Sequence, residues 1–446
     1  MALSPSGSGF TRRTLLGAGV SALAVGALAA CSTSGGGGGG NSGGGNASKP
    51  LKFWNQPWGA PAFLTEDKRI AAAYKPKSGF GPVQYQQIQW ANFIQSYSTA
   101  IAANNGPAVS SGGGTQAFLF EDQGKIAYAD DLIDSWKKNG LYDDFLPGVV
   151  DTLKTDNGYA AVPYNLDMRV VWYNKALLED AGADMPTDWD SYEAMCKKLK
   201  AKGVYGYGTR SGAGAFTGFH QIVAHMINNG GGLFDGDQKP DVVTEKNIEA
   251  VEWVLGLVKN GYSDPRSATY TSDNFYAQVS AKKFGGLWDG AGAKPNVSAA
   301  VAKDLVVGDP LTGPGGEKGA LYFPNNIMMY ENNTNKKGTE AFLTYYYQNM
   351  APLWTEATGI GLPPLKSIAA TSEFQQNKNN VRIIEEWQPI AKTWAAPGTA
   401  ANFLNVTTVD ATPAMNVFTQ SILGGQTDAK SALTKLQDEV KANLKS

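Results

Sequence analysis

The residues that could do chemistry are few, and most are badly spaced for it. The chain holds two histidines, His220 and His225. Five residues apart, they lie about 140° around a helix and do not converge on one metal ion. At least one is expected at an ordinary polar helix position. No H-E-x-x-H occurs. Asp235, Asp237 and Asp241 start like a calcium loop, but glycine falls at the wrong place and no glutamate occupies the twelfth position, so a surface turn is expected. The one G-x-S-x-G, Gly40-Asn41-Ser42-Gly43-Gly44, sits in a glycine tract where no strand-turn-helix elbow can form. Gly212, Gly214 and Gly218 approach a dinucleotide fingerprint, one residue too long and without an acidic residue placed for a ribose. Glu385-Glu386 reads as a solvated helix face.

Aromatic residues beside polar, turn-forming ones are a stronger signal. Trp54 and Trp58 flank the exit of the first strand, Trp90 sits in Gln87-Ile88-Gln89-Trp90-Ala91-Asn92, and Trp288 sits in Phe284-Gly285-Gly286-Leu287-Trp288-Asp289-Gly290. Aromatic faces in loops are apolar platforms with a polar handle. A sugar offers an apolar C–H face and equatorial hydroxyls, so such rings with Asn, Gln, Asp and Arg nearby suit it. Each tryptophan could equally be core, and Trp172, Trp189 and Trp253 read as core from their strand or helix setting.

The elements that must carry these residues alternate between strand and helix signals, the pattern of an α/β protein. Leu51-Lys52-Phe53-Trp54 is the first strand. Thr187, with Asp190 three residues on, predicts a capping box for a helix whose Tyr192, Met195, Cys196 and Leu199 share one face and which Gly203 stops. Cys196 is therefore a core thiol. Thr244 caps a second helix with Ile248, Val251, Leu255 and Val258 as its buried stripe and Gly261 at its end. A third closes the chain with Ala432, Leu433, Leu436, Val440 and Leu444. The 446 residues allow two or three domains. An apolar fraction of 42% excludes wholesale disorder, and a formal charge of -2 gives no basic footprint for nucleic acid. Two cysteines are no disulfide framework.

The start of the chain is an address. Thr11-Arg12-Arg13-Thr14-Leu15-Leu16 opens an apolar segment ending at Ala30, so residues 1–30 read as a signal peptide of the twin-arginine type. Leu28-Ala29-Ala30-Cys31 resembles the bacterial lipobox, in which the cysteine is lipidated and becomes the new N-terminus. Each buried CH₂ of such an anchor contributes about 0.8 kcal/mol. Residues 31–49, rich in Gly and Ser, read as a flexible linker. No later stretch reaches about 18 continuous apolar residues. The expected location is the extracellular face of the cytoplasmic membrane.

Four segments then carry a family resemblance. Gly158-Tyr159-Ala160-Ala161-Val162-Pro163-Tyr164 leads to Val170-Val171-Trp172-Tyr173-Asn174-Lys175-Ala176-Leu177-Leu178, Ala181-Gly182 and Pro186-Thr187-Asp188-Trp189. Gly285-Gly286-Leu287-Trp288 is the second, Gly308-Asp309-Pro310-Leu311 through Gly316 the third. Gly359-Ile360-Gly361-Leu362-Pro363-Pro364-Leu365-Lys366-Ser367 with the closing Ser421–Gln426 run is the fourth. In this order they resemble the extracellular solute-binding proteins of ABC importers, in the carbohydrate class that includes maltose-binding protein.

The resemblance implies a two-lobe, type II periplasmic-binding-protein-like α/β fold with a ligand cleft between lobes joined by hinge crossovers. One lobe would comprise residues 50–162 and 322–384, the other 163–321 and 385–446. It further implies ligand contacts at Asp167 and Arg169 on the first crossover, at Trp288, at Asn55 and Trp58 after the first strand, at Trp90, and at Phe216 and Phe219. A carboxylate such as Asp167 can accept from two sugar hydroxyls; Arg169 could instead be its salt-bridge partner. No acidic–basic pair follows Trp54 as it does in maltose-binding protein, which argues against maltose itself. The implied partners are a carbohydrate, importer permease subunits and, through Cys31, the membrane. No cofactor, metal or catalytic residue is expected. The rival, a secreted glycan hydrolase, needs a second carboxylate about 5–9.5 Å from Asp167, and none is visible in the sequence.

Overall fold

The computed structural model describes residues 49–89, 93–333, 335–356, 358–409 and 412–444. The segment expected to be a signal peptide, most of the expected linker, Cys31 and Trp90 lie outside the described residues. The described residues make one compact unit.

Two larger sheets and one two-stranded sheet, the fourth strand with the fifth, organise it. The strands are β1 (Leu51–Asn55), β2 (Val83–Gln87), β3 (Val109–Gly112), β4 (Lys154–Thr155), β5 (Gly158–Tyr159), β6 (Val162–Met168), β7 (Val170–Asn174), β8 (Gly286–Asp289), β9 (Leu305–Val307), β10 (Ala320–Met329) and β11 (Ala391–Lys392). β1 lies parallel between β2 and β3, which explains why Phe53 and Trp54 are both buried. β10 runs antiparallel to β3 and to β6, pairs with β11 at its start, and is buried at all ten positions. The second sheet is three-stranded and antiparallel, with β7 between β8 and β9. All of Val170-Val171-Trp172-Tyr173-Asn174 is buried, as a strand covered on both faces requires. Arg169 is the single residue between β6 in the first sheet and β7 in the second.

The helix signals place their elements with small corrections. The helix Trp189–Ala201 is capped by Asp188, one residue after the expected Thr187. The Asp188 carboxylate accepts from Ser191 N at 2.8 Å, and Ser191 Oγ accepts from Asp188 N at 3.1 Å, a closed box that Thr187 does not form. Tyr192, Met195, Cys196 and Leu199 are all buried, and Gly203 has φ +73°. In the helix Glu245–Lys259, capped by Thr244, Ile248 and Val258 are only half-buried, while Ala250, Val254 and Leu257 join Val251 and Leu255 inside. The helices Thr217–Asn228, Pro413–Leu423 and Ala429–Ala442 all pack on it, so its buried arc is wider than one stripe and rotated. In the closing helix Ala429–Ala442 the expected stripe is buried, but Leu444 lies past its end and is half-buried. The helix Thr217–Asn228 is buried at every position, so neither histidine sits on a polar face.

Candidate functional site

At the exit of β1, Asn55 is wholly buried and its Oδ1 accepts from Trp58 Nε1 at 3.1 Å. The same indole N–H reaches Ser111 Oγ, on β3, at 3.0 Å. Trp58 is half-buried, with its ring edge-on to Tyr164 of β6 at 6.2 Å. Trp54 points the other way, into the core against Tyr97. A loop after parallel strands is where open α/β sheets place ligands.

The first crossover supplies the second cluster. Arg169 Nη1 donates to Asp167 Oδ1 at 2.5 Å, and its Nε donates to His220 Nδ1 at 3.1 Å. The guanidinium lies 4.8 Å from the ring centre of Phe323 on β10, which is paired with Asp167 across the sheet. The Asp167 side chain is 40% exposed, that of Arg169 11%. Asp167 makes no further hydrogen bond among the described residues, which leaves it acceptor capacity for a hydroxyl. Because Nδ1 of His220 accepts, the neutral ring carries its proton on Nε2. Burial, then the charges of Arg169 and Arg210, hold His220 well below the usual histidine range, so it stays uncharged. Phe323 and Trp394 enclose its ring at 4.9 and 5.4 Å.

The chain just beyond β3 reaches the second cluster. A Cβ placed on Gly114, just beyond β3 and Ser111, would lie 3.5 Å from Cβ of Phe323. On the other side, a Cβ on Gly290 would lie 3.0 Å from Asp167 Oδ1 and 3.4 Å from Arg169 Nη1, so that glycine lets the β8 exit close on the ion pair. The residue before it, Asp289, accepts from Arg210 Nη1 at 2.9 Å, Tyr276 OH at 2.8 Å and Gly290 N at 2.8 Å. Burial alone would raise Asp289, but the Arg210 guanidinium and these donors hold its carboxyl below the usual range. It stays ionised and occupied, a scaffold and not a general acid.

The expected residues thus separate. Asp167 with Arg169, and Asn55 with Trp58, come together as pairs. Phe216 is half-buried at the start of the helix Thr217–Asn228. Phe219 is wholly buried between Trp394 and Phe418. Trp288 is 3% exposed, wedged between His225 at 4.6 Å and Trp387 at 6.0 Å, and presents no open face. The reason is register: Trp288 and Asp289 point to opposite faces of β8, and Asp289 is the one beside Gly290. Ser111, His220, Phe323, Trp394 and the Arg210–Asp289 pair were not anticipated as site neighbours. A polar residue followed by glycine at a strand's C-terminal end was the available signal for Asp289. No group of three or more His, Cys, Asp or Glu among the described residues could hold a metal, and Asp235 caps a turn, accepting from Asp237 N and Lys239 N.

Two larger sheets joined through the one-residue crossover at Arg169, with polar and aromatic side chains where β1, β3 and β8 end beside it, define a binding-protein architecture. Comparison with known proteins agrees. The profile of the bacterial extracellular solute-binding protein family matches residues 41–351. A solved sugar transporter from Arthrobacter chlorophenolicus A6, with bound laminaribiose, is 46% identical, with TM-score 0.78 over 89% of this chain and all of that one. The sugar-binding protein MalE from Xanthomonas citri matches at 18% identity and TM-score 0.72, over 89% of this chain and 97% of its own, a likeness of fold. The diacetylchitobiose binding protein DasA from Streptomyces coelicolor is 24% identical over 66% of this chain and 68% of its own length. This chain belongs to the bacterial extracellular solute-binding protein family, and its fold is the type II periplasmic-binding-protein fold. The family is one of solute-binding proteins, and these relatives are sugar-binding or sugar-transport proteins.

Proposed function

We propose that this protein captures a short oligosaccharide in the cleft between its two larger sheets and delivers it to an ABC importer. The observation that carries this reading is 46% identity over the full length of a sugar transporter holding laminaribiose. Laminaribiose is therefore the first ligand to test. The half-exposed Asp167, braced by Arg169, accepts sugar hydroxyls, and Trp58 offers its indole to a sugar face. Phe216 and Trp90 complete the list of proposed contacts; Asn55, wholly buried, acts through Trp58, and Phe219 and Trp288 act from the core, behind the cleft. The lobes are those expected from the sequence, 50–162 with 322–384 and 163–321 with 385–446, except that β6 pairs with β10 in the first sheet, which moves the first crossover from 162/163 to Arg169. The twin-arginine signal and lipobox support export and anchoring through Cys31, on the outer face of the cytoplasmic membrane. Binding and release, without turnover, are supported by Asp289, whose oxygens are occupied by Arg210, Tyr276 and Gly290.

The test is calorimetric titration of the purified protein with laminaribiose, maltose, diacetylchitobiose and an amino-acid control, with chromatography of the recovered ligand. Selective heat with laminaribiose returned intact is the expected result. Binding of the amino acid alone would sink the sugar reading, and cleaved sugar would sink the binding-only reading.

A further inference from the structure

Behind the β1 exit lies a buried carboxylate that the cleft residues do not explain. Asp67, on the inner side of the helix Pro61–Ala72, is wholly buried. Its Oδ2 accepts from Asn55 Nδ2 at 2.6 Å and from Tyr85 OH, on β2, at 2.5 Å. Its Oδ1 accepts from Tyr346 OH, on the helix Lys336–Asn349. Tyr164 OH, on β6, lies 2.9 Å from Tyr346 OH and 3.2 Å from Asn55 Nδ2. These three phenols are the titratable groups that face Asp67 from the elements packed on it, and no Lys, Arg or His among the described residues pairs with it. On its own helix Glu66 and Arg69 bridge each other, and Lys68 is exposed.

An ionised carboxylate only accepts, so it takes the NH₂ end of the Asn55 amide. The oxygen end is thereby turned toward Trp58 Nε1, 3.1 Å away. A protonated carboxyl loses the charge that strengthens these bonds, which are about twice as strong as neutral ones. It also gains a donor of its own, and the amide is no longer held in one orientation.

We propose that Asp67 is a positioning residue for the cleft: as a carboxylate it fixes the Asn55 amide, Asn55 fixes the indole of Trp58, and sugar affinity falls when Asp67 takes up a proton. The inference rests on Trp58 contacting the ligand, as proposed above. Burial pushes the Asp67 carboxyl up to about 6 against the pull of Tyr346, Tyr85 and Asn55, which brings the change into an accessible pH range.

The experiment labels the full chain with 5-fluorotryptophan and follows the ¹⁹F resonance of Trp58, assigned with Trp58→Phe, from about pH 5 to about pH 7.5 without sugar. Laminaribiose affinity is measured by calorimetry across the same range. The expected result is a Trp58 resonance that titrates with a midpoint near pH 6, and an affinity that falls about five- to tenfold on acidification. Asp67→Asn removes both pH dependences and leaves affinity near its acid value. Tyr85→Phe deletes one donor to the carboxylate and moves the midpoint upward, which tests the role even where Asp67→Asn fails to fold. A Trp58 resonance that does not move between these pH values, or moves equally in Asp67→Asn, overturns the proposal. A titrating resonance in a protein that binds no laminaribiose at either pH supports the positioning role and overturns the ligand reading instead.

Discussion

Replacing Asp289 by Ala isolates what the buried ion pair at the β8 exit contributes. The Arg210 and Asp289 side chains are 5% and 10% exposed, so the pair is shielded from water. After the change the guanidinium keeps Ser272 Oγ at 3.2 Å, Tyr276 OH at 3.3 Å and the faces of Phe275 and Tyr276, but no counter-charge. Removing one partner of a buried pair costs about 3–5 kcal/mol, because the other charge stays buried. With an unfolding entropy of about 2.1 cal/mol/K per residue over roughly 400 residues, about 0.8 kcal/mol/K, the melting temperature should drop by about 4–6 °C. The double variant Arg210→Met with Asp289→Leu removes both charges at similar volume and should recover most of that loss. The assay is thermal unfolding by circular dichroism, single and double variants side by side. A loss below about 1 kcal/mol for Asp289→Ala would refute the reasoning, since it would mean that water reaches the pair and screens it as at a surface.

Asp167→Asn keeps the shape of a half-exposed side chain, so stability should change by less than about 1 kcal/mol while laminaribiose affinity falls about tenfold or more, by calorimetry. His225, pushed down to about 3 by burial, is neutral in the fold but titrates near 6.5 when unfolded. The unfolded chain then binds the extra proton, so this stability is complete above about pH 6.5 and is lost as pH falls toward about 3, on the order of 4–5 kcal/mol in all. His225→Phe should flatten that acid limb in urea titrations at a series of pH values; an unchanged slope would count against it. Burial holds the Cys196 thiol far above its usual range, so in a Cys31→Ser protein it should not react with a thiol reagent until unfolding, and fast labelling of the native state would contradict this.

Much of the local structure was legible from periodicity. The apolar face from Tyr192 to Leu199, the cap at Thr244 and the stripe from Ala432 to Val440 follow from a 3.6-residue repeat. Asp167 and Arg169 lie two residues apart, on one side of extended chain, and meet at 2.5 Å. Four segments taken in order, from Gly158 to Gln426, carried the family resemblance, and with it the fold. What the tertiary structure alone decided is which side of each element faces the cleft. The period of a half-buried strand marks its inner face, but β8 and the helix Thr217–Asn228 are covered all round, so alternation no longer tells Trp288 from Asp289 or Phe216 from Phe219. Arg169 meets His220 across 51 residues, Arg210 meets Asp289 across 79, and Asp67 meets Tyr346 across 279. Those partners are chosen by the packing of whole elements, because a buried charge or hydrogen-bonding group settles only where a distant segment supplies what water no longer can.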